Sequence, residues 1–285
     1  MAEPSFDPRV TPARPDLAAA SLKGKIVADA YVDGETKAVV RGVADLRRAR
    51  SPDATIETQL FFGEGFVVYE EAGGWSWGQS TLDDYVGYVE TAALGSAPAA
   101  THRVTALQSH VYPSANIKQP PMMRLPMNAL VAVDGREERF AHLTSGGYVP
   151  QIHIAPLARS AGDFVAIAER FLGCPYLWGG RTADGIDCSG LLQAALAATG
   201  LAIPRDADMQ ECEVGRNLSD PERATLRRGD LIFWPDHVAI MLDDAIALHA
   251  NGYHMAVARE ALSDVVARNR ANGAGIVSIR RLANK

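Results

Sequence analysis

One cysteine in the C-terminal half has the surroundings of a nucleophile. Cys188 follows Asp187 and a glycine-rich turn, and it opens an apolar segment that predicts a helix over 188–199. A cysteine in the first turn of a helix faces unpaired N–H groups and the positive end of the helix dipole, which favours the thiolate. The same N–H groups could hold the oxyanion of a tetrahedral intermediate.

Two histidines downstream could supply the base. His237 begins one predicted strand and His249 ends the next, so a tight hairpin would bring the two imidazoles side by side. An imidazole that takes a thiol proton needs a second polar group to fix its tautomer and orientation. His249 is the first candidate for that role, and Asn251 on the same strand face is the alternative. Alone, each residue is more often structural, whereas together with Cys188 they predict cysteine-nucleophile catalysis.

The segments around these residues predict helices followed by strands. An apolar stripe at helical spacing precedes the cysteine, and its members are Phe164, Ile167, Ala168, Phe171 and Leu172. Four strand-like runs follow the second helix, at 231–234, 237–242, 245–249 and 276–279. This order indicates an α+β domain over 158–285, with helices packed on an antiparallel sheet.

The first 157 residues have the pattern of β structure. After an N-terminal arm over 1–25, short strand-like runs predict a small β-barrel over 26–95 and a second over 96–157. The tripeptide Gly-Tyr-Val occurs at 87–89 and again about 60 residues later at 147–149, which indicates two tandem copies. Coincidence between two β-rich segments is the alternative.

The bulk properties exclude several classes of protein. The chain has 285 residues, of which 47% are hydrophobic and 22% charged, as expected for a globular protein of two or three domains. Its net charge of −6 argues against a nucleic-acid partner, because such proteins usually carry a basic face. No apolar run reaches the ~18 residues of a membrane span, and no metal-ligand spacing of Cys or His occurs. We therefore expect no membrane partner, metal or cofactor.

Cysteine usage suggests the compartment. Cys174, Cys188 and Cys212 have no spacing typical of a disulfide scaffold. The N-terminal residues carry neither a positive region nor an apolar stretch, so a cytoplasmic protein is expected. Removal of a signal peptide is the alternative, which would allow a periplasmic or secreted protein. We expect a monomer, although the sequence leaves the oligomeric state open.

Five motifs resemble, in order, the signatures of the NlpC-type papain-like cysteine peptidases of bacteria. They are PYLWGG at 175–180, DCSG at 187–190, PRD at 204–206 with Gln210, RGDLIF at 228–233 and HV at 237–238. The resemblance covers roughly residues 157 to 285. The two β units resemble the SH3-like domains that precede some of these enzymes. It implies a papain-like α+β catalytic domain behind two small SH3-like β-barrels.

The resemblance also implies a reaction. It is hydrolysis of the bond between γ-D-glutamate and a diamino acid in murein stem peptides with a free N-terminal L-alanine, releasing L-Ala-γ-D-Glu. Enzymes with this layout use the first barrel to restrict the N-terminal side of the substrate. Whether diaminopimelate or lysine is preferred stays open.

The free alanine amine requires partners, and the resemblance assigns three. Glu64 and Tyr88 of the first barrel and Asp206 of the catalytic domain are expected to hold this ammonium group, because a buried ammonium needs acidic partners. One departure from the pattern concerns the next residue, where Ala207 replaces a serine that a relative could use for a substrate hydrogen bond.

Five further residues are expected at the substrate. Tyr176, Trp178 and Ser189 would lie along the groove. Asp187 would either bind substrate or cap the helix. Arg205 would face the D-glutamate α-carboxylate or, equally, make a structural ion pair.

Two other functions fit the same sequence. Papain-like cores support several acyl-enzyme reactions, so an amidase or acyltransferase is one alternative, which a substrate panel would separate. The other is a non-catalytic cell-wall binding protein that acts through its SH3-like domains. A thiol-alkylating agent would test that alternative, because a catalytic cysteine is expected to react faster than a buried structural one.

Overall fold

The computed structural model describes residues 6–223 and 225–283 and divides into two compact units. The first unit extends to Ala158, and the second begins at Arg159. Among the described residues, no helix is long and apolar enough to cross a membrane.

The first half of unit 1 is built from short antiparallel strands and a pinned N-terminal segment. Its strands are β1 (Leu17–Ala19), β2 (Ala30–Val32), β3 (Glu35–Val39), β4 (Val43–Arg47), β5 (Ile56–Phe61), β6 (Gly65–Ala72), β7 (Trp75–Ser80), β8 (Val86–Glu90) and β9 (Leu94–Gly95). β1 and β2 pair in parallel, while β3 to β9 form a seven-stranded sheet in the order β5-β4-β8-β7-β6-β3-β9.

Alternation of side chains explains how this sheet encloses a core. Along β4, Ala44 and Leu46 are buried while their neighbours are partly exposed. Gly78 of β7 lies so close to β6 that an added Cβ would come within 2.1 Å of the Val67 carbonyl oxygen. The buried set that results is Val39, Ala44, Leu46, Leu60, Phe66, Val68, Tyr85, Val89 and Ala93.

The second half of unit 1 is also all β. Its strands are β10 (His102–Val104), β11 (Gln108–Val111), β12 (Met123–Pro126), β13 (Leu130–Val131), β14 (Val133–Glu137), β15 (Phe140–Leu143), β16 (Tyr148–Pro150) and β17 (Ile154–Pro156). They form small sheets in the orders β13-β10-β17, β11-β12 and β14-β15-β16. Phe61 and Phe62, at the end of β5, belong to the core of this second half, so the two halves share buried apolar residues.

The two copies of Gly-Tyr-Val have the same structural context. The first lies on β8, which is followed by a 3-10 turn at Thr91–Ala93 and by β9. The second lies at β16, which is followed by a 3-10 turn at Gln151–His153 and by β17. A strand, a turn and a short strand therefore recur in both halves, which favours the repeat over coincidence.

Unit 2 has helices first and a sheet afterwards, so the predicted α+β class is confirmed. Its elements are α1 (Phe164–Glu169), β18 (Arg181–Thr182), β19 (Gly185–Ile186), α2 (Cys188–Ala198), α3 (Ala207–Glu213), β20 (Arg216–Asn217), α4 (Asp220–Arg223), β21 (Asp230–Trp234), β22 (His237–Met241), β23 (Ile246–Asn251), β24 (Ala256–Ala261), α5 (Leu262–Ala271) and β25 (Ser278–Arg281). Six strands form one antiparallel sheet in the order β20-β25-β21-β22-β23-β24.

Two helices pack on this sheet. The buried helix α2 contacts β22 and β23. Val265 of α5 is buried with Ala239 of β22 and Ala247 of β23. One expectation for the first helix is wrong, because α1 ends at Glu169 and Leu172 is 45% exposed.

Candidate active site

Asp187 caps the helix that Cys188 begins. Asp187 Oδ1 accepts from the N–H of Gly190 at 2.7 Å, and Oδ2 accepts from the N–H of Gly179 at 2.8 Å. A capping carboxylate pairs N–H groups that a helix start otherwise leaves without partners. The sequence left open whether Asp187 binds substrate or caps the helix, and the structure shows the helix cap.

Arg205 forms a buried ion pair with this cap. Its Nη2 donates to Asp187 Oδ2 at 2.7 Å, and its Nη1 donates to Asp187 Oδ1 at 3.0 Å and to Ser189 Oγ at 2.8 Å. Arg205 is 1% exposed and Asp187 6%. The structural ion pair is therefore present, and it includes Ser189, a residue expected in the groove. Such bidentate pairs hold geometry firmly, because each charge would be costly to bury alone.

A tight turn places the Cys188 sulfur beside His237. β21 and β22 form a hairpin in which Trp234 pairs with His237, and Asp236 in the turn has a positive φ of 57°. The Cys188 Sγ lies 3.9 Å from the Asp236 carbonyl oxygen, and the backbone N–H of Val238 donates to it. The sulfur therefore contacts the residues on both sides of His237.

A hydrogen-bonded chain continues from His237 into the sheet. His237 Nε2 and His249 Nδ1 are 2.8 Å apart, and His249 Nε2 is 2.8 Å from Glu260 Oε2. Asn251, the alternative partner, instead accepts from the backbone N–H of His254 at 2.8 Å and donates toward the His249 carbonyl at 3.4 Å. His249 is thus the group that contacts the His237 ring.

The Glu260 carboxylate lies at the end of this series of hydrogen bonds and can act there only as an acceptor. Hydrogen bonds from Arg268 lower the pKa of Glu260 to about 2, so at neutral pH it is ionised and can only accept. Burial lowers the pKa of His249, so the ring is neutral and donates its Nε2–H to Glu260. Its bare Nδ1 then accepts from the Nε2–H of His237. His237 is left with a lone pair on Nδ1, which is what a general base needs.

Burial disfavours an isolated charge on either partner of the reacting pair. It raises the pKa of Cys188 to about 12, with the Asp187 carboxylate adding to the effect and Arg205 opposing it. It also lowers the pKa of His237 to about 3, with His249 adding to the effect. The expected shift of Cys188 toward thiolate is therefore wrong, because burial outweighs the hydrogen bond from the helix start. Both groups are therefore uncharged at neutral pH.

Two family models match the chain in the segments that contain these elements. Residues 173–274 match the NlpC/P60 family, and residues 46–94 match the bacterial dipeptidyl-peptidase SH3 domain. The first match includes Cys188, His237, His249 and Glu260. The chain therefore contains an NlpC/P60 domain. It is a cysteine peptidase of the bacterial cell wall with an SH3-like domain before the peptidase domain.

Curated relatives resemble this peptidase over much of its length. A γ-D-glutamyl-L-lysine dipeptidyl-peptidase of Bacillus subtilis is 29% identical over 205 residues, which are 67% of this chain and 68% of the relative. A peptidoglycan endopeptidase of Mycobacterium tuberculosis, RipB, is 34% identical over 113 residues, which are 33% of this chain and 45% of the relative.

A solved structure shows the same fold. An NlpC/P60 family protein of Bacillus cereus superposes with a TM-score of 0.73 at 19% identity, covering 87% of this chain and 99% of that one. This likeness supports the papain-like fold of the peptidase domain, and the family models identify that domain and the SH3-like domain.

Three predicted substrate residues lie in unit 2, the unit that contains Cys188. Tyr176 is partly buried, and burial and then the charge of Cys188 raise its pKa, which indicates that its ring lies near the sulfur. Trp178 is 57% exposed, as a ligand-contacting side chain would be before ligand arrives. Asp206 lies at the start of α3, directly after Arg205, and its carboxylate makes no cap hydrogen bond with that helix.

The other two predicted substrate residues of the peptidase lie in unit 1. Glu64 is 5% exposed, and its Oε2 accepts from the backbone N–H of Phe61 at 2.9 Å. The Tyr88 hydroxyl accepts from Arg14 Nη1 at 3.1 Å, and the guanidinium of Arg50 lies 5.8 Å from the Tyr88 ring centre. Both side chains therefore already have partners within their own unit.

Sequence reasoning missed Glu260 and Arg268. Arg268 of α5 donates to both Glu260 oxygens, at 2.7 and 2.6 Å. Glu260 pairs with Ala247 across β23 and β24, on the same face as His249 two residues along. A carboxylate in the strand next to a histidine-bearing strand was the available signal, but the register that aligns them could not be read from the residues alone.

Proposed function

We propose that this peptidase hydrolyses the bond between the γ-carboxyl of D-glutamate and a diamino acid in murein stem peptides, releasing L-Ala-γ-D-Glu. The Cys188–His237–His249 arrangement carries the proposal, because it offers a thiol and an oriented, unprotonated imidazole nitrogen at a helix start. The name of the Bacillus subtilis relative supports a γ-D-glutamyl substrate.

In the first half-reaction, His237 Nδ1 takes the Cys188 thiol proton as the sulfur attacks the γ-carbonyl carbon. First-turn N–H groups of α2 stabilise the oxyanion. The intermediate then collapses, and the diamino acid leaves as an amine after receiving the proton from His237. A thioester between Cys188 and the γ-carboxyl of D-glutamate remains.

In the second half-reaction, water attacks the thioester while His237 accepts its proton. The tetrahedral intermediate then releases the Cys188 sulfur, which recovers a proton from His237. The second product is L-Ala-γ-D-Glu, and the enzyme returns to its neutral pair. His249 holds the His237 ring through both steps, which preserves the tautomer that the transfers need.

Substrate recognition is assigned to residues of both units. Asp206, Glu64 and Tyr88 would bind the free alanine ammonium, and Tyr176 with Trp178 would line the groove. The partial burial of Tyr176 and the exposure of Trp178 support the groove role. Asp187, Ser189 and Arg205 would act on the substrate indirectly, because the contacts that join these three residues form one buried network.

The nucleophile is tested with a defined peptide. L-Ala-γ-D-Glu-diaminopimelate should be split into L-Ala-γ-D-Glu and diaminopimelate by the wild-type chain, with products identified by mass spectrometry. Cys188→Ala should abolish cleavage, whereas Cys212→Ala, at an exposed cysteine of the same unit, should leave it unchanged. Cleavage by Cys188→Ala at the wild-type rate would remove the nucleophile assignment.

The amine pocket is tested by blocking the alanine. N-acetylation of the substrate should reduce kcat/KM strongly, and the double variant Glu64→Gln/Tyr88→Phe should lose part of the preference for the free amine. The matched control is the single change Glu57→Gln. The Glu57 carboxylate lies on β5 and pairs with Arg48. Equal rates for free and acetylated peptides would contradict the pocket.

We further propose a cytoplasmic monomer that hydrolyses released peptides. The three cysteines are all free, which is compatible with a reducing compartment. Cell fractionation tests the cytoplasmic location, and sedimentation equilibrium tests the monomeric state. Recovery in the medium or periplasm would contradict the first part, and a dimer mass would contradict the second.

A further inference from the structure

The chain of hydrogen bonds that begins at His237 continues past His249 to two charged residues. His249 Nε2 is 2.8 Å from Glu260 Oε2, and Arg268 donates to the same carboxylate from α5 at 2.6 and 2.7 Å. The chain joins β22, β23, β24 and α5, so it spans three adjacent strands and the helix that follows them.

Burial makes the charge of this carboxylate important for the histidines. His249 is 1% exposed, and the Glu260 side chain is 11% exposed. A positive charge on imidazoles in such a position is unfavourable unless a negative group lies within hydrogen-bonding distance. Glu260 is that group, since its charge favours protonation of both His237 and His249, whereas Arg268 disfavours it.

The other neighbours of Glu260 do not replace it. His254 Nε2 lies 3.3 Å from Glu260 Oε2, but the His254 side chain is 38% exposed, whereas that of His249 is 1% exposed. The Arg268 guanidinium also lies 4.3 Å from the ring centre of Tyr253. Both neighbours hold the carboxylate, and neither contacts the histidine pair by a described hydrogen bond.

We propose that Glu260 is a positioning residue of the peptidase, which sets the tautomer of His249 and through it that of His237, and which stabilises the imidazolium formed when Cys188 gives up its proton. The proposal rests on the proposed function of Cys188 and His237. Arg268 has a supporting part, because it fixes the carboxylate in place while the carboxylate itself acts on the histidines.

The charge is tested with Glu260→Gln, which keeps the size of the side chain. Loss of the negative charge beside His249 should lower kcat by about tenfold to a hundredfold, while KM stays within about twofold. Alkylation of Cys188 by iodoacetamide at pH 7, followed peptide by peptide with mass spectrometry, should slow by a similar factor. Cys212 in the same chain should react at its wild-type rate, since it is exposed and outside the network.

Two matched variants separate positioning from stability. Glu169→Gln makes the same change at a carboxylate of unit 2 that pairs with Arg228 and Arg259, and it should leave kcat and Cys188 alkylation unchanged. Arg268→Gln leaves the Glu260 carboxylate, so it should lower the thermal midpoint while reducing kcat less than Glu260→Gln does. The inference would be overturned if Glu260→Gln and Arg268→Gln lowered kcat equally for the same loss of thermal midpoint, because the loss of activity would then reflect stability alone.

A readout that needs no activity keeps the two proposals distinguishable. In ¹⁵N-labelled wild-type protein at pH 7, NMR of the imidazole nitrogens should show His237 and His249 both protonated on Nε2 and bare on Nδ1. A proton on His249 Nδ1 would overturn the inference even in an active enzyme. An inert Cys188 with the expected tautomers would instead overturn the proposed function alone.

Discussion

At the scale of single residues, two buried arrangements organise the peptidase site. One is the ion pair of Arg205 with Asp187 beneath the start of α2, and the other is the contact of His237 with His249. The first shapes the surroundings of the sulfur, and the second orients the ring of His237, the proposed base. Each can be perturbed separately, because no residue belongs to both.

His249 should matter far more than Asn251. His249→Ala removes the acceptor of the His237 Nε2–H, so kcat should fall by about 10²–10⁴-fold with little change in KM. Asn251→Ala should change kcat by less than about threefold, because this amide bonds to His254 and to the His249 carbonyl. Steady-state kinetics of both variants measure these changes in kcat and KM. A larger kcat effect at Asn251 would reverse the assignment.

Loss of the Arg205 side chain should destabilise unit 2. Arg205→Met leaves the Asp187 carboxylate buried without its ion-pair partner, which typically costs about 3–5 kcal/mol of unfolding free energy. Arg216→Met breaks the exposed pair with Glu222 and should cost about 1 kcal/mol or less. Urea unfolding measures both. Equal losses would mean that burial does not set the cost.

At the scale of elements, the ion pair of Arg268 on α5 with Glu260 on β24 connects the strands that carry the two histidines to a helix. We call this ion pair the clamp. Arg268 is seven residues into α5, two turns from its start, and it reaches back to the last strand before that helix. The apolar side of α5 contributes Val265 to the core over the sheet. The helix therefore contributes both apolar burial and the guanidinium that holds Glu260.

This clamp should lose its stabilising effect in acid. Arg268 depresses the pKa of Glu260 in the folded protein to about 2, below the ordinary value of 4.5. A carboxyl with a depressed folded pKa contributes stability above its unfolded pKa and loses it as pH falls through the folded one. Urea unfolding should therefore show wild type more stable than Glu260→Gln at pH 6, with a smaller gap at pH 3. A gap independent of pH would contradict the clamp.

At the scale of the whole molecule, the chain consists of two units with their own buried cores. Unit 1 contains the segment that matches the SH3 domain model, and unit 2 contains the segment that matches the NlpC/P60 model. The chemistry described for Cys188, His237, His249 and Glu260 lies within unit 2. The Glu64 and Tyr88 side chains of the proposed amine pocket lie within unit 1.

Unit 2 should fold without unit 1. A protein of residues 159–285 should unfold in one cooperative transition, because its sheet and the apolar side of α5 form a core of their own. The near-UV signal of Trp178 and Trp234 measures this transition in urea. Cys188 of the fragment should also be alkylated at the rate measured for the full chain. A fragment without a cooperative transition would show that its core is incomplete.

The order and types of the residues were enough to predict the α+β class and the resemblance to NlpC-type peptidases, and to propose Cys188 and His237 as the reacting pair. The order of the motifs and the helix start at Cys188 are local features of the sequence. A run of strand patterns after helix patterns is enough to predict the α+β fold class. The tripeptide repeat was also visible, since it needs only comparison of the chain with itself. These features depend on neighbours in sequence, so they can be read without coordinates.

Only the tertiary structure decided how the charged and polar groups are paired. It assigned Arg205 to Asp187 where the sequence left two roles, chose His249 over Asn251, and brought Glu260 and Arg268 to the histidines. It also reversed the expected state of the cysteine, because burial by distant segments raises the thiol pKa more than the helix start lowers it. Strand register and desolvation are properties of the packed chain, and neither is encoded in any short stretch of residues.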